Sequence, residues 1–131
     1  MALQTKRLLS KRVQDLSDTE FQECSRLNYG TSGEMWYRLN DARRESIRAE
    51  ESQALMIRDR QGKLIAWALL FKDRYCRSYE VHFYVPQKYR RQGLGTKLVD
   101  AVKRREPKAM VKPWNKASKA FFENFPNFSN A

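Results

Sequence analysis

Histidine and cysteine are scarce in this chain. His82 is the one histidine, and the two cysteines, Cys24 and Cys76, lie far apart. No His/Cys pair has metal-ligand spacing, so the sequence offers no zinc centre and no metal site of any kind is expected. Two distant thiols also make no disulfide framework. They are expected as small buried or half-buried side chains of a reduced, cytoplasmic protein. Long apolar runs are missing too. No stretch would span a bilayer, and Met1 to Ser10 has basic residues without an apolar run of signal-peptide length, so no membrane partner is expected. Neither an internal repeat nor a low-complexity segment is present. Negative charge is in the minority, with 15 acidic residues against 26 Lys and Arg.

Enough apolar sequence remains to build a core. Hydrophobic residues are 41% of 131, which suits one domain over residues 1–131 and argues against disorder. The net charge of +11 points to an acidic partner: cofactor phosphates, nucleic acid or an acidic protein surface. The basic residues are spread along the chain, and most are expected to be solvated surface.

Thr5 to Val13 reads as a first strand. Ser17 and Glu20 have capping-box spacing, and Leu16 and Phe21 that of a hydrophobic staple. A helix therefore runs from there towards Asn28, with Phe21, Cys24 and Leu27 inward and Gly30 able to close it. Met35, Trp36, Leu39, Ala42 and Ile47 mark a second helix from about Gly33. Tyr29, Trp36 and Tyr37 read either as core aromatics or as the lining of an acceptor pocket. Ala54 to Ile57 and Leu64 to Phe71 read as strands joined by Asp59-Arg60-Gln61-Gly62, which is hairpin chemistry. The near-continuous apolar run Leu64 to Phe71 predicts a central strand covered on both faces.

The stretch from Val81 to Val102 organises the rest. Val81 to Val85 is β-branched and aromatic, and Pro86 ends it as a strand. Leu94, Leu98, Ala101 and Val102 fall on one face of a helix that stops near Arg105, in a basic last turn before Pro107. Between them lies a basic loop containing Gly93 and Gly95. Such a loop turns backbone N–H groups toward one point at a helix N-terminus, where the dipole favours an anion. Glycines let a phosphate approach closely, and Arg90 and Arg91 add positive charge. Ala109 to Val111 reads as a further strand. Asn115 can cap a last helix with Ala117, Ala120, Phe121 and Phe125 on its apolar side.

This loop resembles motif A of the GCN5-related N-acetyltransferases (GNAT), Arg/Gln-x-x-Gly-x-Gly/Ala, with Arg90, Gly93 and Gly95 in its fixed positions. The order of elements is similar to that family's α/β (α+β) fold: a mixed central sheet flanked by about four helices. The resemblance covers nearly the whole chain but lacks the usual C-terminal hairpin, leaving room for a short sixth strand from Phe125 to Phe128. It implies transfer of acetyl from acetyl-CoA to an amine. Phe83, Tyr84 and Val85 would bond the pantetheine arm through their backbone. Gln92, Gly93, Leu94, Gly95 and Thr96 would hold the pyrophosphate, with Arg90 and Arg91 beside them. Asn115 to Glu123 resembles motif B, which makes Asn115 a cofactor contact. Phe122 stands where many members have the tyrosine that protonates the departing thiolate. Phenylalanine donates no proton, so water or a nearby tyrosine, Tyr84 or Tyr89, would have to serve.

The general base is open at this stage. Several family members use a Glu or His on the fourth strand, at positions that here hold Tyr79 and Val81. Glu80 and His82 have the opposite parity, and a β-bulge would bring either inward. The candidates are therefore Glu80, His82 and Tyr79. The leading reading is an N-acetyltransferase for a protein lysine, N-terminus or other macromolecular amine, because the missing hairpin would leave the acceptor side open unless a homodimer partner covered it. Two other readings stand beside it. One is a silent acetyl-CoA-binding or protein-interaction module, on the strength of Phe122. The other is a nucleic-acid-associated protein, including one that acetylates charged tRNA, on the strength of the charge.

Overall fold

The computed structural model describes residues 5–28, 34–44, 49–75, 79–90, 92–106, 110–111 and 129–130. Among the described residues six strands form one sheet in sequence order: β1 (Thr5–Arg12), β2 (Gln53–Asp59), β3 (Leu64–Phe71), β4 (Glu80–Tyr84), β5 (Met110–Val111) and β6 (Ser129–Asn130). The first four are antiparallel; β5 runs parallel to β4, and β6 parallel to β5. Among the described residues there are three α-helices: α1 (Asp18–Arg26), α2 (Glu34–Ala42) and α3 (Leu94–Arg105). This is the expected mixed α/β architecture. The fourth helix and the strand expected at Phe125 to Phe128 fall outside the described residues, as do Ile47 and Cys76; the described sixth strand is Ser129–Asn130.

Every residue of β3 is buried, because helices cover both faces of the sheet. Strand alternation sorts the apolar side chains into two clusters. Leu55, Ala68, Leu70 and Val81 pack with Leu98, Val99 and Val102 of α3. On the other face Met56, Trp67, Leu69 and Phe71 pack with Cys24 of α1 and with Met35, Leu39 and Ala42 of α2. The indole N–H of Trp67 donates to the Leu27 carbonyl at the end of α1, so the largest core side chain is also hydrogen-bonded. Burial pushes the Cys24 thiol up to about 12, so it is inert at neutral pH.

The local signals hold in detail. In the β2–β3 hairpin the Asp59 carboxylate accepts from the Gln61 and Lys63 amides, and Gly62 has φ of +85°, a left-handed conformation that disfavours a side chain. At α1 the Ser17 hydroxyl accepts from the Glu20 amide at 3.1 Å, and the Glu20 carboxylate accepts from the Ser17 amide at 2.9 Å. Leu16 and Phe21 join the same apolar cluster. Ser17→Ala removes half of this reciprocal cap. It is expected to cost about 1 kcal/mol, read as a lower urea midpoint at unchanged m.

Candidate active site

The loop after β4 folds as its sequence suggests. Pro86 ends the strand, Gln87–Tyr89 make one 3₁₀ turn, and Gly93 starts α3. Gly93 has φ of 79° and ψ of 5°, which favours glycine over any residue with a Cβ, and no side chain caps the helix. The first helical bond in α3 is donated by the Lys97 amide to the Gly93 carbonyl, at 3.0 Å. The amides of Leu94, Gly95 and Thr96 therefore precede the intrahelical ladder, the usual geometry for receiving an anion. Leu94 is buried and anchors the helix; Gln92, Gly93 and Thr96 are exposed. Arg90 Nε donates to the Val85 carbonyl at 2.9 Å and ties the loop to the end of β4. These features fit the pyrophosphate of a CoA ester. Arg91, Asn115 and Phe122 lie outside the described residues.

Phe83 and Val85 lie against the α3 side of the sheet, and Tyr84 against the α1/α2 side. Among the described residues β4 pairs with β5 at Glu80 opposite Met110 and Val81 opposite Val111.

The candidate bases divide by strand parity. Tyr79 and Val81 face α3. The Tyr79 hydroxyl donates to the Glu51 carbonyl at 3.3 Å; burial, with Glu106 and Glu51 nearby, raises its pKa. A phenol so held is a donor and a poor proton acceptor. Glu80 and His82 pair across the ladder with Phe71 and Leu69, which places them on the α1/α2 face. The described β3–β4 register runs without a shift from Trp67 opposite Tyr84 to Phe71 opposite Glu80. The bulge expected in β4 is therefore not what turns these residues to that face; ordinary alternation does it.

There they form a compact polar cluster. His82 Nε2 lies 2.7 Å from Glu80 Oε1, and His82 is buried. With Glu80 ionised, that nitrogen carries the proton and donates it to the carboxylate. Arg38 of α2 donates from Nε to the same oxygen at 3.3 Å. Glu34, one turn earlier on α2, brings its carboxylate within 3.7 Å of the Arg38 guanidinium. One ligand atom from each of Glu34, Glu80 and His82 lies within 4.8 Å of the others. Arg38 already supplies positive charge beside both carboxylates.

Sequence reasoning missed Glu34 and Arg38. Their i,i+4 spacing is visible in the sequence, but Arg38 reaches Glu80 across 42 positions, which no local pattern reports. Of the aromatics weighed for an acceptor pocket, Trp36 donates to the Ser25 hydroxyl at 3.1 Å, Tyr37 is exposed, and Tyr29 lies outside the described residues.

The fold has counterparts among known proteins. A model of the acetyltransferase (GNAT) family matches residues 12–125. A GNAT acetyltransferase from Staphylococcus aureus Mu50 superposes with TM-score 0.64 at 12% identity, over 91% of this chain and 82% of that one. A protein assigned as an acetyltransferase, from Exiguobacterium sp. 255-15, gives 0.61 at 16% identity, over 91% and 83%. The spermidine/spermine N-acetyltransferase SpeG of Vibrio cholerae gives 0.58 at 17% identity, over 90% and 76%. No curated protein sequence matches the chain. No helix among the described residues is long and apolar enough to cross a membrane. Matched by the family model over most of its length, the chain belongs to the GNAT family of N-acetyltransferases, which move an acetyl group to an amine.

Proposed function

We propose that this protein transfers acetyl from acetyl-CoA to an amine carried on a protein or another macromolecule, with Glu80 as the proton acceptor. The observation that carries the reading is the Glu80 carboxylate on the central sheet, held by His82 and Arg38. Acetyl-CoA supplies the activated thioester. The α3 amides at Leu94, Gly95 and Thr96, with Gln92, Gly93, Arg90 and Arg91, bind its pyrophosphate. The β4 backbone at Phe83, Tyr84 and Val85 orients the pantetheine arm, and Asn115 and Phe122 complete the cofactor side. An acceptor amine with a pKa near about 10 arrives protonated, and Glu80 takes that proton. The leaving thiolate, with a pKa of about 8.5, is stable enough for water to protonate it.

The net charge of +11 favours an acceptor amine on an acidic macromolecule over a small polycation. SpeG of Vibrio cholerae, by its name, acts on spermidine and spermine. Glu34, Asp41 and Glu80 would favour that alternative, although Arg38 is shared among all three.

The test is a competition among three acceptors: a lysine peptide with acidic flanks, spermidine and aminoacyl-tRNA. The rate of CoA thiol release should be highest with the peptide. Faster release with spermidine would overturn the macromolecular reading, and faster release with aminoacyl-tRNA would move the acceptor from a protein to a nucleic acid.

A further inference from the structure

Arg38 of α2 reaches the central sheet at Glu80. Its guanidinium serves three carboxylates: Glu80 at 3.3 Å, and Glu34 and Asp41 each at 3.7 Å. The same group stacks over the Phe71 ring, 4.9 Å from its centroid, on the strand paired with β4. A lysine offers neither the planar stack nor the Nε donor. Glu80 is largely withdrawn from water, its side chain 14% exposed, and Arg38 is half-buried at 32%, so solvent screens the pair only in part.

We infer that Arg38 is a positioning residue for the acetyl-transfer reaction: it holds the Glu80 carboxylate in place and in its ionised form. This rests on the reading of Glu80 as the proton acceptor. The groups facing Glu80 include His82 on its own strand, Phe71 on β3, Met110 opposite it on β5, and Arg38 with its partners Glu34 and Asp41 on α2. Phe71 carries no charge. Glu34 and Asp41 would push a nearby carboxylate toward its protonated form, and Arg38 stands as the counter-charge they share. Burial opposes the charge on Arg38, yet the carboxylates, Glu80 first among them, outweigh it and raise the Arg38 pKa. The attraction is mutual, so it favours the carboxylate on the other side.

The consequence has a sign. An opposite charge this close holds a carboxylate ionised to lower pH. Without Arg38 the Glu80 carboxyl takes up its proton at higher pH, and the acid limb of turnover moves up with it. Because α2 carries Arg38, any displacement of that helix also changes the strength of the base on β4.

The experiment is a ¹³C NMR titration of the Glu80 carboxyl in the full chain with acetyl-CoA bound, the signal being assigned by its loss in Glu80→Gln. In Arg38→Met the midpoint should rise by about one pH unit. Arg38→Lys, which keeps the charge and the stem, should rise by less, and it also serves if the Met variant folds poorly. A midpoint that does not move in a folded Arg38 variant overturns the inference and reduces Arg38 to a structural pair. The base reading fails separately: it falls if the acid limb of turnover, followed with the lysine peptide, persists in Glu80→Gln.

Discussion

Gly95→Trp should abolish acetyl-CoA binding while the protein stays folded. Gly95 lies in the first turn of α3, among the amides that precede the Lys97–Gly93 bond. An indole placed there fills the space through which a phosphate reaches those amides. The core face of α3 is built from Leu94, Leu98, Val99, Ala101 and Val102, and Gly95 is not part of it. Replacing a glycine inside a helix also favours the helix. At a free concentration of about a hundred times Kd, acetyl-CoA should stabilise the parent by ~2.7 kcal/mol. That is roughly 10 °C in Tm for a domain of this size. The variant should show the parent's Tm without ligand, or a slightly higher one, and no increase on adding acetyl-CoA. A full thermal shift in the variant would remove the loop from the site.

Glu80→Gln should separate binding from chemistry. The amide is nearly isosteric with the carboxylate, but it takes no proton from an amine. Well-placed general-base catalysis contributes about a hundred- to ten-thousandfold, and kcat should fall by a factor in that range. Acetyl-CoA affinity should hold, because the site proposed for the pyrophosphate is the first turn of α3 and not β4. The His82 and Arg38 donors lose a charged acceptor, so some stability should go as well, by about 1–3 kcal/mol. CoA thiol release at saturating acetyl-CoA reads the first effect, and a denaturant midpoint the second. Unchanged kcat would exclude Glu80 as the proton acceptor.

Much of the fold was legible because its signals are local. The apolar run Leu64 to Phe71 reads as a strand covered on both faces, and all of it is buried. Ser17 and Glu20 announce the start of α1, and Gly62 announces its turn, since each acts on backbone within a few residues. The loop was legible for the same reason: Gly93 needs its left-handed φ whatever the rest of the chain does. The candidate base was legible only in part. The sequence brings Glu80 and His82 forward by residue type, but the face each occupies depends on the β3–β4 register. The ion pair that steadies Glu80 comes from a helix packed onto that face, a contact set by tertiary structure. Counting back from Val85 by family positions leads to Tyr79 and Val81, and the register turns both toward α3. The segment with Asn115 and Phe122 lies outside the described residues, so their cofactor roles rest on the motif alone.

The central claim is that this chain moves acetyl from acetyl-CoA to an amine on another molecule. Its most direct test is intact-mass analysis of lysate proteins incubated with the purified protein and isotope-labelled acetyl-CoA, run beside Glu80→Gln. The account predicts labelled acetyl groups on a discrete set of proteins, with CoA released in equal amount, and far less of both with the variant. Acetyl-CoA that binds saturably yet passes no label to any protein, peptide, polyamine or RNA in the lysate would contradict it, and would make the domain a module that holds the cofactor without using it.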